Sequence, residues 1–170
     1  DDKIEVNQVS FCPWDATLCV VLGRGFVKLF RVLEGVFKAV PISVRRDNGN
    51  FISHCWLADE ILILGTEQGE ILLVEAGEFR GVIYPTPGGG GSIIGIDGES
   101  KGNAFGPEES TPVYCFCPTS RGFCAGTVDG EVRIFERSNE TREMFVMSDK
   151  QFLPAQQGKV LALVLDSDDT

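Results

Sequence analysis

Gly25-Phe26-Val27-Lys28-Leu29-Phe30 is the stretch that decides the fold, because two later stretches repeat its pattern. The later copies are Gly69-Glu70-Ile71-Leu72-Leu73-Val74 and Gly130-Glu131-Val132-Arg133-Ile134-Phe135. Each copy begins with glycine and continues as a short run rich in β-forming residues. An aromatic residue precedes each of these glycines by 13 or 14 positions, and the glycines are 44 and 61 residues apart. The chain therefore repeats one structural unit three times.

The repeated unit has the composition of a propeller blade of the WD40 kind. Periods in the forties, built of short strands and glycine turns, are typical of β-propellers. Each repeated unit, of which these stretches are one part, divides into four short strands joined by turns. Gly25, Gly69 and Gly130 are the predicted turn glycines between the second and third strands. Where the best-known repeats have a Trp-Asp dipeptide, this chain has Phe30-Arg31, Val74-Glu75 and Phe135-Glu136, so these are divergent blades. We predict an all-β chain of WD40-like β-propeller blades, about three with the first strand of a fourth.

The predicted organisation is a partial β-propeller that covers residues 1–170. Three blades and one strand leave unpaired sheet edges, and closed propellers have about 4–8 blades, so we expect a fragment of a larger propeller. An insertion separates the second and third copies, and it contains Gly-Gly-Gly-Gly-Ser at 88–92. This sequence is typical of flexible loops and also of engineered linkers, and we favour a natural loop. The predicted segments are a blade at 4–40, a blade at 51–84, the flexible insertion at 85–112, a blade at 113–147 and the start of the next blade at 158–170.

The charge balance argues against two classes of partner. The net charge of −10 disfavours binding to nucleic acid and to anionic membrane surfaces, because both require a positive face. No apolar run approaches the roughly 20 residues needed to cross a bilayer, and Asp1–Glu5 lacks the features of a signal peptide, so we expect a chain that is not secreted. The basic residues are scattered, and Arg45-Arg46 is the nearest to a basic patch.

Six cysteines admit a disulfide framework, a metal site or buried thiols. They are Cys12, Cys19, Cys55, Cys115, Cys117 and Cys124. All lie in apolar strand-like runs, and Cys12 and Cys117 occupy matching repeat positions. Free cysteine behaves as a small buried hydrophobe, and no Cys-x-x-Cys spacing is present. We therefore favour buried thiols in a reducing compartment, and we predict no metal site.

Candidate catalytic chemistry is weak throughout the sequence. His54 is the only histidine, and we interpret it as a structural residue near a blade edge in preference to a ligand or a base. The glycine-rich segment lacks the Lys-Ser/Thr of a phosphate-binding loop, so no cofactor is predicted. We predict no catalytic, metal-binding or cofactor-binding residues.

The residues predicted to contact a partner are Trp14, Arg45 and Arg46. Trp14 follows Pro13 at a predicted turn, where an aromatic side chain can anchor an interface. Arg45 and Arg46 form the basic pair noted above. In a propeller, binding falls to loops and rims because the strands are occupied in the sheets.

Three stretches resemble a particular group of repeat proteins. They are residues 9–35 (Val-Ser-Phe-Cys-Pro-Trp-Asp to Leu-Glu-Gly), 53–78 (Ser-His-Cys-Trp-Leu-Ala-Asp-Glu to Ala-Gly-Glu) and 121–126 (Arg-Gly-Phe-Cys-Ala-Gly). These stretches resemble the cilia- and flagella-associated WD-repeat proteins of the axoneme, both the members at the inner dynein arm base and regulatory complex and those of the dynein tether. The resemblance covers nearly all of the chain except the glycine-rich insertion.

The resemblance implies a non-enzymatic scaffold that positions dynein or regulatory assemblies on doublet microtubules, as ciliary motility requires. The implied location is the cytoplasm and the ciliary or flagellar axoneme, within the cytoskeleton. The implied partners are dynein arm or tether subunits and a paralogous WD-repeat protein, with tubulin as a further candidate. Two alternatives stay open on the fold alone. One is a generic WD40 adaptor, such as a coat protein or a ubiquitin-ligase receptor, and the other is a propeller enzyme or ligand-binding domain.

Overall fold

The computed structural model of the chain describes residues 4–44, 49–58, 60–83, 111–138, 144–152 and 158–166. In these ranges the regular structure is entirely β, which confirms the predicted all-β class. No helix in this part of the chain is long and apolar enough to span a bilayer. The strands are β1 (Val6–Cys12), β2 (Asp15–Gly23), β3 (Phe26–Leu33), β4 (Val36–Val40), β5 (Phe51–Leu57), β6 (Ile61–Thr66), β7 (Ile71–Glu75), β8 (Glu78–Ile83), β9 (Val113–Pro118), β10 (Gly122–Thr127), β11 (Glu131–Arg137) and β12 (Phe145–Phe152).

The strands form three antiparallel sheets of four, each paired in chain order. We call β1–β4 the first sheet, β5–β8 the second sheet and β9–β12 the third sheet. Consecutive antiparallel strands need only short turns, and the glycine turns supply them. The backbone φ is +75° at Gly25, +84° at Gly69 and +85° at Gly130, a region that a side chain disfavours. These glycines allow each second strand to return directly as the third.

The hairpin between the second and third strands is shorter in the first sheet than in the others. Gly23 pairs with Phe26, so Arg24-Gly25 is a two-residue loop. Counting back from the turn glycine aligns Val21 with Gly65, but the pairing register contradicts that alignment. Gln8 pairs with Leu22 where Ser53 pairs with Gly65, so Leu22 occupies the equivalent place.

The sheets stack through their first strands. β1 contacts β5, β5 contacts β9, and each later first strand also contacts the second strand of the preceding sheet. We call the contact between the first and second sheets the first joint, and that between the second and third sheets the second joint. Side chains alternate between the two faces of a strand, so a sheet that lies between two others can bury both of its faces. The second sheet does this: Leu62, Leu64 and Leu72 pack toward the first sheet, while Ile61, Ile63 and Leu73 pack toward the third.

The segment 158–166 lies against the third sheet as β9 lies against the second. Val160 is buried, and its N–H donates to the Thr127 carbonyl at 3.0 Å. The Cys115 thiol donates to the Val160 carbonyl at 3.3 Å, as the Ser53 hydroxyl donates to the Val113 carbonyl at 2.5 Å. Cys115 and Ser53 hold the same register position, because they pair with Gly126 and Gly65 respectively. Val160 therefore takes the place that Val113 takes one sheet earlier.

The described strands extend past one predicted bound, and most of the predicted insertion lies outside the described residues. The last strand of the third sheet continues to Phe152, past the predicted limit at 147. The insertion predicted at 85–112 lies outside the described residues except for Thr111 and Pro112, and so does its glycine-rich stretch.

Candidate functional site

The turns that follow the three first strands meet at one end of the stack. These turns hold Trp14, Ala58 and the Thr119–Arg121 segment, and all three border a single cleft. They meet because the first strands lie side by side and each reverses into its second strand at the same level. One surface is thus built from three repeats that are distant in sequence.

We call this feature the tryptophan cleft. Its volume is about 380 Å³, within the size range of ligand-binding pockets. Apolar and aromatic groups form most of its wall, with guanidinium and carboxylate groups at the rim. The residues that define it here are Trp14, Trp56, Pro118, Arg121, Phe145 and Asp166.

The two tryptophans of the chain both line the cleft but differ in exposure. Trp14 is 52% exposed, whereas Trp56 is 6% exposed. The Trp56 Nε1–H donates to Ser10 Oγ at 3.0 Å, which fixes its ring in the wall. Trp14 is held in a turn between β1 and β2, so its indole is presented to solvent. Trp14 therefore has the position expected of an interface anchor, and its binding role stays a prediction.

Arg121 is a highly exposed charged residue at the cleft. Its side chain is 80% exposed and lies 3.6 Å from Glu136. The Arg121 carbonyl accepts the Arg137 backbone N–H at 2.8 Å, which ties the turn to the end of β11. Arg121, Arg137 and Asp166 thus all border the cleft, in a chain whose net charge is −10.

A polar network behind the cleft fixes the first joint. His54 Nδ1 and the His54 backbone N–H both point to Gln8 Oε1, at 2.7 Å and 2.9 Å. Because that oxygen only accepts, His54 Nδ1 carries the proton and Nε2 accepts from the Ser10 hydroxyl at 2.5 Å. Asn7 adds hydrogen bonds to Asn50 Oδ1 and the Phe51 carbonyl, each at 2.6 Å. The network joins β1 to β5, and Trp14 follows β1 while Trp56 lies in β5.

The Ser10–His54 pair has the connectivity of a nucleophile and a base, but its environment opposes that chemistry. Burial lowers the pKa of His54 from 6.5 to about 4, so the imidazole is a weak base. Gln8 is a neutral amide and cannot stabilise an imidazolium as a carboxylate does. Ser10 Oγ already accepts the Trp56 N–H. The arrangement fits a structural joint in which each polar group has a partner.

The other predicted site residues lie away from the cleft or outside the described residues. Arg45 and Arg46 are outside the described residues, so their predicted contact stays a prediction. Gly25, Gly69 and Gly130 lie in the turns between second and third strands. Among the described residues predicted for the site, Trp14 lies at the cleft and the three turn glycines do not.

Sequence reasoning missed Gln8, Ser10 and Arg121. Ser10 and Gln8 alternate on one face of β1, but nothing in the sequence indicates that this face meets His54, which lies 44 residues beyond Ser10. Arg121 follows a predicted first strand as Trp14 does. The shared position after a first strand is a signal that could have grouped the two residues.

The six cysteines are free thiols in the structure. Cys12, Cys19, Cys55 and Cys117 are buried, and Cys115 and Cys124 are partly buried. Burial raises the pKa of the Cys19 and Cys124 thiols, which keeps them protonated. Within the described ranges, no three His, Cys, Asp or Glu side chains converge in a manner that could hold a metal ion.

The fold defines the class of the chain as WD40-like β-propeller blades. The crystal structure of the WD40 β-propeller domain of Doa1 matches 79% of this chain with a TM-score of 0.50 and 15% identity, and the match covers 38% of that domain's chain. At this identity the match establishes the fold alone. No protein-family profile matches the sequence.

Two curated homologues have nearly identical names to each other. Cilia- and flagella-associated protein 57 of Mus musculus is 25% identical over 86% of this chain, and cilia- and flagella-associated protein 57 A of Tetrahymena thermophila is 23% identical over 88%. The chain spans only 14% and 11% of the lengths of these relatives. The resemblance to cilia- and flagella-associated WD-repeat proteins inferred from the sequence is thereby confirmed.

Proposed function

We propose that the chain is part of a non-catalytic scaffold of the ciliary or flagellar axoneme, where it positions dynein or regulatory assemblies on doublet microtubules. The observation that carries this proposal is the similarity to cilia- and flagella-associated protein 57 over most of the chain in two distant organisms. The fold supports it physically, because stacked sheets hold their turns in fixed positions and expose them to partners. Its partners would be dynein arm or tether subunits, with a paralogous WD-repeat protein and tubulin as further candidates.

We also propose that these sheets belong to a larger propeller. Two residues on β1, Phe11 and Val9, are 49% and 53% exposed. The equivalent residues of β5, by pairing register, are Trp56 and His54, and each is 6% exposed against the first sheet. A further blade packed on the first sheet would bury this apolar face in the same way.

The experiment is a fractionation of ciliated cells that express the tagged chain. Cilia are isolated and extracted with detergent, and the tag is measured in the axoneme and in the soluble fractions. The WD40 domain of Doa1 with the same tag is the matched control, because it shares the fold and not the sequence. We expect the chain to be enriched on axonemes over this control, and to precipitate with dynein subunits after release by salt.

Two results would contradict the proposal. Equal axonemal retention of the chain and of the Doa1 domain would mean that the fold alone explains the binding. Recovery of the chain with cytosolic complexes would favour the generic adaptor.

A further inference from the structure

We propose that the tryptophan cleft binds a short protein segment in which a bulky apolar side chain lies next to an acidic one. This proposal rests on the scaffold function and names the chemistry of one partner contact. It follows from three properties of the cleft: an apolar wall, an exposed guanidinium, and an opening that several fixed turns surround.

The wall of the cleft is apolar, so it favours an apolar side chain of the ligand. Trp56, Pro118 and Phe145 form it, and Phe145 is fully buried behind the surface. Trp14 stands at the edge with about half of its surface exposed. An aliphatic or aromatic side chain entering the cleft beside the exposed Trp14 indole would remove apolar area of both partners from water.

Arg121 at the cleft can bind an acidic neighbour. Arg121 is exposed, and its ion pair with Glu136 is long, at 3.6 Å. Exposed ion pairs of this kind contribute little, so the guanidinium can turn to a carboxylate of a ligand at small cost. A bidentate guanidinium–carboxylate pair also has a defined direction, which would orient the bound segment.

The charge of the rest of the chain sharpens this selection. A chain of net charge −10 repels acidic segments over most of its surface, so a short acidic ligand is retained only beside exposed arginines such as Arg121. Indole rings and arginine also suit single-stranded nucleic acid, but that polymer would meet the same repulsion along its whole length. The acidic, apolar-anchored peptide is therefore the favoured occupant.

The test uses intrinsic fluorescence, because both tryptophans of the chain line the cleft. The probe is a synthetic octapeptide with one central leucine flanked by glutamates. The matched peptides replace the leucine by serine or the glutamates by lysines. We expect the glutamate–leucine peptide to shift the emission saturably, and we expect its affinity to exceed that of either matched peptide by at least about tenfold.

Two charge reversals locate the site. Arg121→Glu is expected to weaken binding at least about tenfold. Arg24→Glu is the matched control, because the Arg24 side chain is 66% exposed and has a similar ion pair, 3.4 Å from Glu5, away from the cleft. Trp14→Ala tests whether the Trp14 side chain anchors the peptide, and the affinity of this variant is measured by fluorescence polarisation of a labelled peptide. Circular dichroism checks that each variant is folded.

Three outcomes would overturn the proposal: no emission change, equal loss of affinity in Arg24→Glu and Arg121→Glu, or binding of the lysine peptide or of a single-stranded oligonucleotide equal to that of the glutamate peptide. These outcomes leave the axonemal fractionation unaffected. Conversely, peptide binding by a chain that does not associate with axonemes would remove the scaffold proposal and keep the cleft.

Discussion

The first and second joints have the same backbone arrangement and different chemistry. At the first joint, Gln8 and Ser10 hold His54 and Trp56 through hydrogen bonds. At the second joint, one buried hydrogen bond from Ser53 to the Val113 carbonyl accompanies an aromatic cluster within the third sheet. In that cluster, Phe123 stacks on Phe135 and lies edge-on to its other neighbours.

The difference shows that stacking is repeated while the contacts that secure it are not. Apolar contacts are non-directional, so they stabilise a joint without fixing its register. Hydrogen bonds to buried groups fix the register, because a shift would leave those groups unpaired. The first joint, which positions the two tryptophans of the cleft, has an apolar core and the directional hydrogen bonds in addition.

The largest effect is expected from removing the centre of the aromatic cluster. Phe123 is fully buried and contacts three other phenylalanines. Phe123→Ala should lower the free energy of unfolding by about 3–5 kcal/mol, measured by urea denaturation. Phe37→Ala, at a position that is 59% exposed, is the control and should cost far less. Equal losses in the two variants would show that the cluster does not dominate the second joint.

The pH dependence of stability distinguishes the first joint. The pKa of His54 is about 4 in the folded state and 6.5 when unperturbed, so between these values the unfolded state binds more protons. The contribution of His54 is therefore complete above pH 6.5, and about 3 kcal/mol is lost as the pH falls to 4. The measurement is the unfolding free energy between pH 7 and 4 for the chain and for His54→Leu. Parallel curves would contradict the assigned burial.

A smaller and local effect is expected where 158–166 meets the third sheet. A Cβ at position 126 would lie 2.6 Å from Val160 Cγ1 and 2.7 Å from Cys115 Sγ. Gly126→Ala should therefore displace the segment and speed hydrogen exchange at the Val160 amide, with a cost of about 1 kcal/mol. Gly158→Ala is the control, because nothing lies within 4 Å of its added Cβ. Unchanged exchange in Gly126→Ala would mean that Val160 is not seated there.

Much of the fold could be predicted from the sequence because it rests on local signals. Turn glycines at Gly69 and Gly130 meet a backbone requirement that few other residues satisfy. Counting back from the turn glycine matches Val21 to Gly65, but the pairing register matches Leu22 to Gly65. The count is off by one because the first hairpin is shorter. The cleft could be predicted only as far as Trp14. Its other parts depend on which first strands become neighbours, and no local pattern records that choice.

The stacking of sheets through their first strands is tested most directly by a double-mutant cycle between Ser10→Ala and His54→Leu. The two residues are 44 positions apart and share a hydrogen bond across the first joint. Urea denaturation of the chain, the two single variants and the double variant gives the coupling energy. We predict a coupling of about 1–3 kcal/mol, because Ser10→Ala leaves the buried His54 ring without its Ser10 hydrogen bond, whereas in His54→Leu that bond is already lost. Additive losses, with no coupling, would contradict the contact between β1 and β5 and the cleft that depends on it.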